Sequence, residues 1–310
     1  MAPKLIPEQA AQASTSPEAI NQDALNEFNQ ASGYIRGLVQ SRDEGFQNKC
    51  LEAGIDPFDD AANIEYWKLL EAYGNQALQE TYSVGEIDDF TYDVRRISLA
   101  APVYALQQIE LNQQRNQGQQ IPRESRRTVS EFNADIYGFV QAYPDVRAQT
   151  LMAGLGSIIE DTVYDAGPAL EGEYGVKAAI RGARHEFGVI QSLDYIEGIG
   201  YKETGTEEDL KGVDTTVIFQ SGQEINVDIK ASVNQLIADA EKHGGEQEVE
   251  FARNHGYYQR RGGTYVLFSH LKDGDFEGGS SPEEKSFRLR EDVAPQRAAA
   301  IEDTLHQIVA

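Results

Sequence analysis

Residues 212–230 read GVDTTVIFQSGQEINVDIK, with apolar side chains at alternate positions on both sides of the Ser221-Gly222 pair. The alternating residues are Val213, Val217, Phe219, Ile225, Val227 and Ile229. A period of two is typical of β-strands that bury one face. We therefore expect two antiparallel strands joined by a three-residue loop, with Gly222 in the left-handed conformation.

The predicted hairpin gathers charged side chains on its other face. Pairing through this loop places Asp214 opposite Asp228, and Lys230 faces the same side as both. Two carboxylates about 4 Å apart repel by about 4 kcal/mol at an effective dielectric constant of ~20, whereas an exposed Lys–Asp pair is worth only ~0–1 kcal/mol. A hard divalent cation relieves such repulsion best, so the cluster predicts a site for Mg²⁺ or Mn²⁺.

Upstream of the hairpin, Glu186 lies on the apolar face of a predicted helix from Tyr174 to Ile196. Its helical neighbours are small or apolar, namely Gly182, Ala183, Val189, Ile190 and Leu193. A buried glutamate costs free energy unless it is paired, protonated or bound to metal, so we expect Glu186 to point toward the two aspartates. Glu160, in the helix-like segment from Ala153 to Asp165, is the alternative acid for this role.

The order of these residues resembles that of a known family. A helix with Glu186, a strand that starts at Asp214, Asp228-Ile229-Lys230 on the next strand, and then a helix and a strand are similar to the PD-(D/E)xK nuclease superfamily. The resemblance covers about residues 174–269. It departs from the family pattern at Val213, which stands where the name-giving proline would be, and in lacking a downstream Gln and Tyr motif.

The resemblance implies a fold and a set of roles. The fold is an α+β or α/β arrangement, in which a helical N-terminal region precedes a restriction-endonuclease-like αβββαβ core with a mixed sheet flanked by helices. In that family the two strand acids and the helix glutamate hold one or two Mg²⁺ ions, and the lysine orients the attacking water. Carried over by position, Glu186, Asp214 and Asp228 become metal ligands, and Lys230 joins them as the catalytic lysine.

The predicted function is therefore Mg²⁺-dependent hydrolysis of phosphodiester bonds, with DNA as the preferred substrate. A carboxylate-held metal activates water near neutral pH and stabilises charge on the phosphate. Lys230 adds a point charge beside it without competing for the metal. The chain is thus expected to be an endonuclease.

A second hypothesis is a non-catalytic acidic interaction or inhibitor protein that retains a nuclease-like fold. Asp-x-Lys is a common strand pattern, and Glu224 and Asn226 share the charged face as ordinary solvated residues would. The formal net charge of −24 also repels nucleic acid, whose binding depends largely on cations.

A local basic patch is the predicted nucleic-acid contact. Arg253, Arg260 and Arg261 lie close to Tyr257, which offers a stacking surface. The alternative is that these residues simply border the predicted strand from Gly263 to Ser269.

Length and patterning predict two regions. Residues 1–122 are expected to be mainly helical, with helices at about 61–82, 88–100 and 103–114, and to select substrate or dock a partner. Residues 123–310 are expected to form the nuclease domain, with the Asn-, Gln- and Gly-rich segment 112–122 as the linker. No strand-like alternation is recognised before residue 200, and residues 246–258 are predicted to be helical.

The composition of the chain indicates the cellular compartment in which we expect it. Cys50 is the single cysteine, so an internal disulfide framework is excluded and a reducing environment is favoured. Residues 1–17 lack the apolar core of a secretory signal, and no apolar run approaches the ~20 residues that cross a bilayer. We expect a cytoplasmic protein without membrane contact. A protein partner on the helical N-terminal region and a homodimer are both compatible with the sequence.

Overall fold

The computed structural model describes residues 16–40, 44–58, 63–120, 122–171, 175–204 and 212–309. Its described part combines a helical assembly with a mixed β-sheet that carries helices on both faces. This confirms the expected mixed α and β class and the helical N-terminal region.

The helical assembly precedes the sheet in the chain. Its described helices are α1 (Pro17–Gln40), α2 (Glu44–Glu52), α3 (Ile64–Ser83), α4 (Asp89–Asn116), α5 (Arg123–Ala142), α6 (Ala148–Thr162), α7 (Gly167–Glu171) and α8 (Val176–Leu193). The long helix α4 packs against α1, α3, α5, α6 and α7. It is the central element around which this core is built.

Helix α4 is continuous, whereas the sequence predicted two helices that meet near residue 101. Pro102 lies inside α4 and removes one backbone hydrogen bond. Ala101, Pro102 and Val103 are all buried in the core. Because burial on both sides of the proline stabilises the helical path, tertiary packing outweighs the local cost.

The helical core extends beyond residue 122. Buried side chains from α5, α6 and the first half of α8 join those of α1, α3 and α4; among them are Phe28, Trp67, Tyr104, Phe139, Leu155 and Ile180. The second half of α8 packs instead on the sheet, through Val189 and Leu193. Helix α8 therefore belongs to both cores, and a domain boundary at residue 122 stays a prediction.

The sheet has five strands, β1 (Ile199–Glu203), β2 (Thr215–Phe219), β3 (Glu224–Lys230), β4 (Tyr257–Gln259) and β5 (Tyr265–Phe268), in the order β1-β2-β3-β5-β4. Strands β1, β2 and β3 form an antiparallel meander, β5 is parallel to β3, and β4 is antiparallel to β5. Helices α9 (Val233–His243) and α10 (Glu246–His255) lie between β3 and β4 in the chain. After the sheet come a two-stranded ribbon, β6 (Phe276–Gly278) and β7 (Lys285–Leu289), and helix α11 (Ala294–Val309).

The two faces of the sheet have different coverings. Val227, Ile229 and Leu267 belong to the core that α8 and α11 complete. Tyr258 and Val266 belong to a smaller core with residues of α9 and α10. This two-layer covering leaves little of the central strands in water.

Two strands of the five-stranded sheet were missed or misassigned from the sequence. Strand β1 was not recognised, and residues 257–259 form β4 where the predicted helix 246–258 would continue. Gly256 ends α10 in the left-handed conformation, with φ at +76°. Such a glycine is a common helix terminator, and it turns the chain back to pair with β5.

No helix of the described residues combines the length and apolar character needed to cross a bilayer.

A half-buried carboxyl group in the helical assembly makes the stability of the protein depend on pH. Glu71 of α3 lies close enough to Asp135 and Glu131 of α5 to feel their charges. Burial, helped by these carboxylates, raises the pKa of Glu71 from its usual 4.5 to about 7. Between these two values, the folded protein keeps a proton that the unfolded chain releases, so stability falls as the pH rises from 4.5 through 7.

The substitution Glu71→Gln should remove this penalty. We expect the variant to have a free energy of unfolding up to about 3 kcal/mol above that of the wild type at pH 8, with the difference shrinking toward zero near pH 4. Urea unfolding at several pH values measures it. The exposed Glu80→Gln on the same helix serves as control and should follow the wild type; parallel profiles for Glu71→Gln and wild type would contradict the assignment.

Candidate functional site

The hairpin β2–β3 forms with the register predicted from the sequence. Thr215 pairs with Val227 and Val217 with Ile225, the register that sets Asp214 opposite Asp228. Asp214 lies just before β2, and its backbone N–H donates to the carbonyl of Val227 at 2.8 Å. The turn has Gly222 at φ +85°, as expected. The alternating pattern therefore determined both the strands and the face that each aspartate occupies.

Asp228 is a buried carboxylate that lies between two cations. Only 2% of the residue is exposed. The Nζ of Lys230 lies 2.5 Å from Oδ1, and Nη2 of Arg260 lies 2.5 Å from Oδ2. A buried charge of this kind is tolerated only when it is paired, and here each oxygen has its own counter-charge.

Lys230 remains a cation in this setting. Burial alone would lower the pKa of Lys230, but the charges of Asp228 and Asp214 outweigh it and raise the pKa above the usual value. Lys230 is therefore fully protonated at neutral pH and provides a fixed positive charge beside both aspartates.

Asp214 has the opposite electrostatic character. Its Oδ2 accepts a hydrogen bond from the backbone N–H of Ile229 at 2.6 Å. Burial, followed by the charges of Glu186 and Asp228, raises the pKa of Asp214 well above its usual range, and Lys230 offsets only part of this. The carboxyl groups gathered at this end of the sheet thus repel one another, as the sequence analysis expected.

Glu186 is half-buried on α8, at the point where this helix passes from the helical core to the sheet. Its charge acts on Asp214, so the helix brings it to the same region as the hairpin acids. The alternative acid, Glu160, is exposed on α6 and lines an open groove with Ser157 and Lys177. The electrostatic coupling to Asp214 favours Glu186 for the helix acid.

A further group, which the sequence analysis missed, holds Arg260 in place. Asp239 of α9 accepts from Arg260 at two positions, Nε to Oδ1 at 2.9 Å and Nη2 to Oδ2 at 2.5 Å. The Tyr258 hydroxyl also donates to Asp239. Although burial alone would raise it, the hydrogen bonds from Arg260 and Tyr258 hold the pKa of Asp239 below its usual value. We call Asp239, Tyr258 and Arg260 the arginine clamp.

The clamp is positioned by local sequence features. Ser232 caps α9 and Gln235 completes a capping box, so the helix starts directly after β3 and carries Asp239 over the sheet. Asp239 lies one turn after the buried Leu236 and beside the buried Ala240. Its helical neighbours Gln235, Lys242 and His243 are polar, so the argument that singled out Glu186 does not identify Asp239.

Of the residues in the predicted nucleic-acid patch, two are exposed and two point into the protein. Arg253 and Arg261 are exposed, as a surface contact requires. Arg260 points inward to Asp228 and Asp239, and Tyr257 is only 8% exposed because it packs in the core beneath the sheet. The exposed aromatic group nearby is Phe251, which stacks on His255 with ring centroids 4.1 Å apart.

In the part of the chain that the structure describes, no three His, Cys, Asp or Glu side chains are grouped as a metal site. The two aspartates already have polar partners. Both oxygens of Asp228 face cations, and one oxygen of Asp214 faces the backbone. The donor chemistry of Glu186, Asp214 and Asp228, which is entirely carboxylate oxygen, nevertheless suits Mg²⁺ or Mn²⁺, and their mutual repulsion is what a divalent cation would relieve.

No family model, curated protein or solved structure matches this chain. Its function is therefore inferred from its own residues and their arrangement.

Loss of the Tyr258 hydroxyl should weaken the clamp measurably. We expect Tyr258→Phe to lower the free energy of unfolding by about 2 kcal/mol, because a buried carboxylate loses a hydrogen-bond donor. The adjacent Tyr257→Phe, which removes a hydroxyl from the other face of the sheet, should cost less than about 0.5 kcal/mol. Urea unfolding measures both losses. Equal losses of unfolding free energy in the two variants would show that the hydrogen bond from Tyr258 to Asp239 does not stabilise the fold.

Proposed function

We propose that the chain is a Mg²⁺- or Mn²⁺-dependent nuclease of the PD-(D/E)xK type that hydrolyses phosphodiester bonds in DNA. The observation that carries the proposal is the gathering of Asp214, Asp228 and Lys230 at one end of the sheet within electrostatic reach of Glu186. Asp214 and Asp228 belong to neighbouring strands, and Lys230 contacts Asp228 directly. An acid and a lysine whose pKa values are shifted by burial and by neighbouring charges, as those of Asp214 and Lys230 are, are typical of catalytic sites.

The order of elements supports a restriction-endonuclease-like core. Helix α8 is followed by the antiparallel meander β1–β2–β3, then by helices α9 and α10 and the short strand β4, and then by β5 parallel to β3. With α10 and β4 as additions, this order supports the αβββαβ core that the resemblance implies. The proposed ligands lie at the matching positions, one on the helix and two on the central hairpin.

Each residue has a distinct task in this proposal. Glu186, Asp214 and Asp228 would hold the metal, which when bound supplies an activated water and stabilises charge on the phosphate. Lys230 keeps its positive charge beside Asp228, so its ammonium group can stabilise a phosphate oxygen from its position on β3. The pKa of Asp214, raised by its neighbours, means that its affinity for a cation is coupled to the loss of a proton.

Substrate approach must overcome the net charge of −24. The exposed Arg253 and Arg261 offer cations near the end of α10, where Phe251 offers an aromatic face. Nucleic-acid binding through so few cations is weak and falls as salt rises. We propose that the helical N-terminal region, alone or with a protein partner, supplies the remaining affinity. The buried, unbridged Cys50 supports placement in a reducing compartment such as the cytoplasm.

One observation favours a second function. The carboxylate of Asp228 is already satisfied by Lys230 and Arg260, as it would be in a protein that keeps the fold for structural reasons. With an acidic surface, such a protein would act as a binding or inhibitor module that presents negative charge to a basic partner. Metal uptake and DNA cleavage separate the two functions.

Cleavage of plasmid DNA in the presence of Mg²⁺ or Mn²⁺ tests the proposal. We expect the wild type to nick or cut the plasmid, and Asp228→Asn and Lys230→Met each to lose about 100-fold or more in rate, because the first removes a proposed metal ligand and the second removes positive charge beside the reacting phosphate. Lys242→Met, which removes an exposed lysine from α9, should retain the wild-type rate.

Circular dichroism and thermal unfolding must show that these variants are folded. Retained cutting in both site variants would refute the assignment of the site. Absence of cutting by the wild type, together with absence of metal uptake in calorimetry, would favour the acidic binding module.

A further inference from the structure

Arg260 makes several polar contacts at the candidate site, more than a single ion pair would provide. Its Nε and Nη2 bind Asp239, Nη2 also lies 2.5 Å from Asp228, and Nη1 donates to the carbonyl of Gly212 at 3.3 Å. Every nitrogen of the guanidinium therefore has a partner. The side chain connects the loop before β2, strand β3 and helix α9.

The backbone at Gly212 is shaped to admit this arginine. Gly212 has φ at +71°, a conformation that favours glycine, and a Cβ there would press against Nη1 of Arg260. The residue lies two positions before Asp214. The approach of the guanidinium is thus part of the same local structure that positions the hairpin acids.

The guanidinium of Arg260 contacts the carboxylate of Asp228, which the proposed nuclease needs as a metal ligand. It lies on Oδ2 of Asp228, while Lys230 lies on Oδ1. An arginine cannot release its charge by deprotonation, and the charge of Asp228 together with the hydrogen bonds that Arg260 donates to Asp239 holds the cation in place. A divalent cation that approaches Asp228 meets two positive charges at short range, one of which is fixed by a second carboxylate.

We propose that Arg260 competes with the divalent metal for Asp228 and so sets the metal affinity of the site, with Asp239 and Tyr258 as the anchor that keeps it there. This inference rests on the proposed nuclease function. Arg260 is then a positioning residue that acts through Asp228. In the absence of substrate, the clamp stabilises the state in which Asp228 is paired with the arginine.

Isothermal titration with Mn²⁺ alone tests the proposal without relying on activity. The single variant Arg260→Gln leaves Asp228 and Asp239 as facing buried carboxylates, which threatens folding. The charge-balanced double variant Arg260→Gln/Asp239→Asn removes one charge of each sign and retains an acceptor for the Tyr258 hydroxyl. It leaves Asp228 paired with Lys230 only.

We expect this double variant to bind Mn²⁺ at least about tenfold more tightly than the wild type, since one competing cation has been removed. Arg261→Gln, which removes the neighbouring exposed arginine, is the matched control and should stay within about twofold of the wild type. Structural damage would weaken metal binding, so a gain in affinity is specific to competition. Adding Asp228→Asn to the double variant should abolish the gain.

The outcomes separate the inference from the proposed function. Measurable Mn²⁺ binding by the wild type with equal or weaker binding by the folded double variant overturns the role of Arg260 and leaves the nuclease proposal intact. A gain that persists without Asp228 also overturns it. Absence of Mn²⁺ binding in every variant overturns the nuclease proposal, and the inference with it.

Discussion

The buried charge of Asp228 is the constraint around which this end of the molecule is organised. A carboxylate with 2% exposure is unfavourable unless cations reach it. Lys230 comes from the same strand, but Arg260 must come from beyond β4, across α9 and α10. The sheet order β3-β5-β4 brings that distant segment within reach, so the topology and the charge compensation depend on each other.

The candidate site joins two kinds of electrostatic environment. On the α8 side, Glu186 and Asp214 repel, and Asp214 keeps a raised pKa. On the α9 side, attraction dominates, because Arg260 lies between Asp228 and Asp239. The site thus places carboxyl groups whose repulsion Lys230 offsets only in part next to an ion-pair network in which Arg260 joins two carboxylates. This contrast is more informative about function than the overall acidity of the chain.

Much of the central hairpin could be predicted from sequence, because alternation and Gly222 are local signals that specify strands, register and facing. The apolar helical neighbours of Glu186 predicted that it points inward, and the residue is half-buried where α8 meets the sheet. Strand β4 has three residues, too few to reveal a period, and β1 contains Gly200 and lies at the edge of the described sheet. The inward turn of Arg260 depends on contacts between residues far apart in the chain, which local patterns do not report.

Helix α8 makes the two cores inseparable. Its first turns insert Val176 and Ile180 into the helical core, and its last turns place Leu193 against the sheet. At about 1.5 Å per residue, Glu186 lies only about 9 Å along the axis from Ile180. In a truncated chain that lacks the preceding helices, the first half of α8 would have no packing partners. Glu186 would then no longer be held in its position. The helices that precede α8 thus hold this helix, and with it Glu186, in place.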